Sequence, residues 1–177
     1  MAEWLLGGEP FQKSKNDYDW LGPGIYFWEA NPLRGLEYAT DLQSTTWGSD
    51  ITTPAVVGAI IDLGHCLDLM NSAGIRQIQA AYVTYIANCE AAGYEPLKNS
   101  PDVHQLQRPL DCAVFAQLHA IRKDNMEQPI DTVRGAFVEG EPVYKGAGFR
   151  AKSHIQICVC NTSCIKGVFR VPQEQLI

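Results

Sequence analysis

The chain has 177 residues, 46% of them hydrophobic and 19% charged, the composition of a compact single domain with enough apolar side chain for one sizeable core. Its formal charge of −6 argues against nucleic-acid binding spread over the whole surface, which needs an excess of cations facing phosphates, and leaves a local basic site open. No run approaches the roughly 18 apolar residues of a membrane span, and the start has neither the basic flank nor the apolar core of a signal peptide, so a soluble cytoplasmic protein is expected.

Residues 3–8 read as the end of a helix closed by Gly7-Gly8, and residues 9–22 as a polar loop. A short aromatic strand follows at Gly24–Trp28, bounded by Gly22-Pro23 and Asn31-Pro32. Asn31 as cap and Pro32 at the first turn start a helix running to about Thr40. The near-continuous apolar run from Ala55 to Leu63 reads as a central strand covered on both faces. From Gly74 to Ala92, Ile75, Ile78, Tyr82, Tyr85, Ile86 and Cys89 recur at three and four, the signature of an amphipathic helix. Residues 93–108 are a polar connection. Leu110, Ala113, Val114, Leu118 and Ile121 mark a second such helix, with Arg122 and Lys123 at its end, where positive charge suits the helix dipole. Short strands are expected at Val133–Val138, His154–Cys160 and Ile165–Val171. The class is α+β, with strands concentrated at the C-terminal end.

Six cysteines without a Cys-x-x-Cys pair are too sparse for a disulfide scaffold and read as reduced, mostly buried thiols; no zinc or other metal is expected. Arg134, Lys145, Arg150 and Lys152 gather in one C-terminal stretch, either as solvated charges or beside a phosphate. Cys112 and His119 lie seven apart on one helix and share a face, the minimum for a Cys–His hydrolase, although a buried thiol is the plainer reading of Cys112.

The run from Asn16 to Trp28, followed by a helix containing Glu37-Tyr38-Ala39, resembles the Gly-x-Gly-Ile-Tyr-Phe motif of the poly(ADP-ribose) polymerase-like ADP-ribosyltransferases. The resemblance implies two small, mostly antiparallel sheets packed around a cleft with flanking helices, and NAD as the ADP-ribose donor. It places Gly24, Tyr26, Phe27, Gly35 and Tyr38 around the nicotinamide, with Tyr26 and Tyr38 as its two aromatic walls and Gly35 where the family has a serine. An aromatic face attracts a cationic ring, so two tyrosines suit the task. A strand such as Gly24–Trp28 is equally at home as plain core.

A second resemblance lies at the end of the chain. The family has a catalytic Glu twelve positions before a Lys, and twelve positions before Lys166 stands His154. A His there can exchange hydrogen bonds but supplies no fixed negative charge, which implies transfer of single ADP-ribose units or none. Gln156, two residues on, shares its face and is an alternative partner for the ribose or acceptor. Glu139 and Glu141, in a loop of the kind that carries acceptor recognition, are either a general base for the nucleophile or solvated acids. The family's His-Gly strand, expected ahead of the helix at residues 3–6, has no counterpart in order. The implied activity is mono-ADP-ribosylation of a macromolecular acceptor, RNA, DNA or protein, in the setting of bacterial toxin–antitoxin or phage-defence modules, with an antitoxin protein as partner. The competing expectation is a catalytically inactive binding module for a nucleotide or a partner protein.

Overall fold

The computed structural model describes residues 11–45, 48, 50–101 and 107–176; the expected helix at residues 3–8 lies outside them. Along the chain come β1 (Ile25–Trp28), α1 (Pro32–Gln43), β2 (Val57–Ile61), β3 (Cys66–Asp68), α2 (Ser72–Ala92), α3 (Pro109–Asp124), β4 (Thr132–Phe137), β5 (His154–Val159) and β6 (Ile165–Arg170). The helix boundaries follow local chemistry. Asn31 caps α1 by accepting from the Arg34 amide at 3.1 Å, with Pro32 at the first turn. Asn71 caps α2 through the Gly74 amide at 2.9 Å, and α2 stops at Gly93, whose φ of 73° is the left-handed conformation that glycine adopts freely. Among the described residues, no helix is long and apolar enough to cross a membrane.

The strands form a four-stranded mixed sheet in the order β1-β5-β4-β3 and a two-stranded antiparallel sheet of β2 and β6. Within the larger sheet β3 and β4 run parallel and the other pairs antiparallel. Residues directly opposite each other point to the same face, so the register separates two sides. Tyr26, Trp28, His154, Gln156, Cys158, Val133 and Phe137 share one; Ile25, Phe27, Ile157 and Val159 share the other.

Helices α2 and α3 cover the first side. Ala81 of α2 and Val114, Phe115 and Leu118 of α3 pack with Leu67, Val133, Phe137 and Cys158 of the sheet into the larger core. Val133 and Cys158 are wholly buried. Each such aliphatic side chain contributes roughly 1.5–3 kcal/mol. On the second side Ile25, Ile157 and Val159 form a smaller core with Cys164, joined by Ile61, Leu63 and Ile165 from the two-stranded sheet and its flanks.

Strand β2 departs from expectation. Its apolar run predicts a central strand covered on both faces, but β2 pairs with β6 alone and Ile60 is 61% exposed. Residues Val57, Ala59 and Ile61 turn toward the larger sheet while Ile60 turns outward, so only one face is covered. The three-residue β3 has too few positions to show any periodicity, and nothing in the sequence announces it.

Candidate functional site

The site is built outward from β1. The Tyr26 hydroxyl donates to the Gly22 carbonyl at 2.7 Å and accepts from the Leu21 amide at 3.0 Å, closing the turn that leads into the strand. Gly22 makes that turn at a φ of 77°. Burial, with the neighbouring Cys158, pushes the Tyr26 phenol far above its ordinary range, so it stays protonated. Gly24 is where β1 comes closest to β5: a Cβ there would collide with the Cys158 sulfur and lie 2.9 Å from the Val159 carbonyl oxygen.

A cavity of about 670 Å³ opens between the two sheets and α1. Tyr26, Phe27, Gly35 and Tyr38 line it; Gly24 is not among its walls. Val57, Ala59, Ile61, Ile157 and Phe169 supply part of the apolar remainder, and among the described residues Glu29 is the single charged residue of the lining. The ring that meets Tyr38 is Trp28, 5.1 Å between centroids and inclined by 45°. Tyr26 and Tyr38 both border the cavity, but the Tyr26 side chain leaves β1 on the α2/α3 side and packs against the larger core, and Trp28 is the aromatic neighbour of Tyr38. Gly35 brings α1 against this wall, since a Cβ there would stand 3.2 Å from Val56 Cγ2 and 3.3 Å from Trp28 Cε3. A serine side chain has little room unless both yield.

Behind Trp28 lies a buried polar cluster. The side chain of His154 is 1% exposed, between Phe137 and Trp28 at 5.7 and 6.4 Å. Its Nδ1 stands 2.7 Å from the Lys152 carbonyl oxygen, which can only accept, so Nδ1 carries the proton and Nε2 a lone pair. Glu139 stands 3.7 Å from the same nitrogen and accepts from Arg34 Nη2 at 3.3 Å. Burial holds the His154 pKa below its ordinary value; the Lys152 carbonyl and Glu139 oppose that shift and Arg34 adds to it. The imidazole is therefore neutral at pH 7.

Among the described residues, the buried side-chain nitrogens with no hydrogen-bond partner are Trp28 Nε1, Arg34 Nε, Arg34 Nη1 and His154 Nε2, and all belong to this cluster. Three are donors and one is an acceptor. Such groups cost free energy when left unpaired. Sequence reasoning found His154 and Glu139 but missed Arg34 and Trp28. Arg34 has no signal in the sequence, where it stands in an ordinary helical first turn 105 residues from the carboxylate it meets.

The other candidate residues lie elsewhere. Gln156 sits in mid-sheet between Trp28 and Gly135 and is half-buried. Glu141 is exposed at the base of a hairpin-like loop closed by a bridge between Pro142 and Arg150, whose Val143, Tyr144 and Phe149 are exposed. Lys166 reaches Asp62 and the Ser163 carbonyl. The C-terminal basic residues are dispersed rather than gathered: Arg134 is ion-paired to Glu29 at 2.8 Å and to Asp68 at 3.4 Å, and Lys152 to Asp41 at 2.7 Å. Cys112 donates to the Asn16 carbonyl at 3.5 Å. No protein-family model matches the chain, and neither a curated protein nor a solved structure gives a significant match to it.

Proposed function

We propose that the protein is a mono-ADP-ribosyltransferase that takes NAD as its donor, with the nicotinamide end seated in the cavity between the two sheets. The observation that carries this reading is the meeting, at one cavity, of Tyr26, Phe27, Gly35 and Tyr38, four positions matched by the sequence motif. The volume of about 670 Å³ falls in the ordinary range for small-molecule sites, and a mostly apolar, aromatic lining suits a flat ring. Among the described residues the lining holds no Lys or Arg, so the residues present fit the nicotinamide and ribose better than the diphosphate, which would rely on groups outside these walls.

NAD supplies a glycosidic bond whose breaking releases nicotinamide and leaves an electrophilic ribose carbon. The chain's part is to hold and polarise. The faces of Tyr38 and Trp28 favour a cationic ring. Among the described residues, Trp28 Nε1 is the unpartnered buried nitrogen whose residue lines the cavity, and as a donor it matches the oxygen of a carboxamide. Without a fixed charge at His154, elongation into polymers is disfavoured, and one ADP-ribose unit passes to a macromolecular acceptor. Glu141 and the exposed loop around Tyr144 and Phe149 are the parts offered to that acceptor. The net charge of −6 favours protein over RNA or DNA there. A cytoplasmic toxin restrained by an antitoxin protein is the setting that fits such an activity.

A second reading, an inactive binding module, draws on one specific feature. The Tyr26 hydroxyl, His154 Nδ1 and Glu139 are each committed to internal partners. The two readings part in one experiment. The protein is incubated with NAD, nicotinamide is quantified by chromatography, and calorimetry follows binding of nicotinamide. Catalysis predicts release that falls at least about tenfold in Tyr38→Ala, whose side chain is 46% exposed and expendable for folding. Nicotinamide binding without release selects the module, and the absence of both overturns the two together.

A further inference from the structure

Helix α2 lies on the far side of the larger sheet from the cavity, with one side packed and the other exposed. Gly74 and Ala81 are buried, and Ile78 and Tyr85 pack against the larger core. On its flank Gln77 accepts from Arg122 Nη1 at 3.4 Å and Asn88 donates to Gln117 at 3.0 Å, so α3 runs along that edge. At 3.6 residues per turn, Arg76, Val83 and Glu90 fall in one line on the opposite side, with Ala80 and Ala87 beside them. All are exposed, Val83 by 63%.

A helix that turns its outer side to water ordinarily concentrates its charges there. In the 21 residues of α2 the charged side chains are Arg76 and Glu90, and Ile75, Tyr82 and Val83 stand exposed instead. A helix apolar on both sides calls for a second packing partner. Among the described residues, neither Arg76 nor Glu90 has an ion-pair partner.

We propose that the protein forms a homodimer through this face, two copies of α2 packing antiparallel about a twofold axis that passes beside Val83. The placement of the two charges carries the inference. They stand seven residues to either side of Val83, so the axis sets Arg76 of each copy opposite Glu90 of the other, and the contact is self-complementary. A parallel pair is disfavoured by the same charges, since it opposes Arg76 to Arg76 and Glu90 to Glu90. Between the charges the axis places Ala80 of one copy opposite Ile86 of the other, small against large. The net charge of −6 on each copy opposes association at long range, and at physiological ionic strength that repulsion is screened over about 8 Å. A single helix against its twin lies at the low end of specific interface sizes, so dissociation in the micromolar range is expected.

The test is the oligomeric state of the full chain without ligand, followed by sedimentation velocity from low micromolar to near-millimolar concentration. A monomer–dimer equilibrium is expected. Val83→Glu sets two carboxylates side by side on the axis, and Arg76→Glu or Glu90→Arg turns both ion pairs into repulsions. Each of these changes raises the dissociation constant by about tenfold or more. Exchanging both charges, Arg76→Glu with Glu90→Arg, brings it back to within about threefold of the native value. Acid near the start and base near the end of a helix suit its dipole, so the exchange does not weaken α2 itself. A chain that stays monomeric throughout the range overturns the proposal and leaves the face to a different protein. So does a dimer that Val83→Glu leaves intact, or an exchange that fails to restore what the single reversals remove. Among the described residues none of α2 lines the cavity, so every outcome is independent of the transferase reading.

Discussion

The two faces of the four-stranded sheet are built from similar residues and finished differently. The face under α2 and α3 closes completely, with Val133 and Cys158 fully buried and Leu67, Val114 and Phe115 packed around them. Under the two-stranded sheet, among the described residues, Ile25, Ile157, Val159 and Cys164 form the buried core, and a cavity of about 670 Å³ remains beside them. Two long helices present broad apolar faces that interdigitate with a sheet; two short strands roof a smaller area and leave the space next to α1 open. The lesson is a division of labour: stability is concentrated on one side of the sheet and room for a ligand on the other.

That comparison is open to attack by mutation. The largest contrast is expected between Phe115→Ala, in the closed core, and Phe27→Ala, on the cavity wall. The first costs about 3–5 kcal/mol and the second less than about half of that, because one face of Phe27 already meets open space. Equal losses in chemical denaturation would mean that the two faces are equally well packed. Next comes the buried ion pair. Glu139→Ala strands the Arg34 guanidinium, only 6% exposed, and is expected to cost about 3 kcal/mol, whereas the double change Glu139→Ala with Arg34→Leu recovers much of it. A double-mutant cycle with no recovery would deny the coupling.

A smaller effect follows from His154. Its pKa in the folded protein is lowered chiefly by burial, so the unfolded chain binds a proton first as the pH falls below about 6.5. Stability is thus full above that pH and declines below it toward the folded-state value. Melting temperatures measured between pH 7.5 and 5.5 should fall more steeply for the native protein than for His154→Gln; parallel curves would remove the buried imidazole from the account. The smallest effect on stability is expected from Ala59→Phe, which fills the cavity from its roof with a change of less than about 1 kcal/mol while abolishing nicotinamide binding. Intact binding in that variant would place the ligand elsewhere.

Much of the backbone is legible in the sequence because its causes are local. Asn31 and Pro32, Asn71 and Gly93, and the three-and-four spacing along α2 and α3 announce those helices, with ends that differ by up to three residues. The aromatic strand at Ile25–Trp28 and the three C-terminal strands are equally plain. Strand β2 misleads because its apolar run does not say how many faces are covered. The candidate site is legible only in part. Phe27, Gly35 and Tyr38 do reach one cavity with Tyr26, but pairing Tyr26 with Tyr38 overlooked Trp28, whose ring direction follows from the β1–β5 register.

The sequence by itself determined where the helices and most strands lie, that the class is α+β, and where the aromatic strand that borders the cavity falls. Each of these rests on side chains acting on their own backbone or on neighbours a turn away. Only the tertiary structure decided that Arg34 meets Glu139 across 105 residues and that the space between the sheets stays open. Those outcomes depend on which way a side chain leaves a packed strand or helix, and spacing along a chain carries no record of that direction once the partner lies in another element.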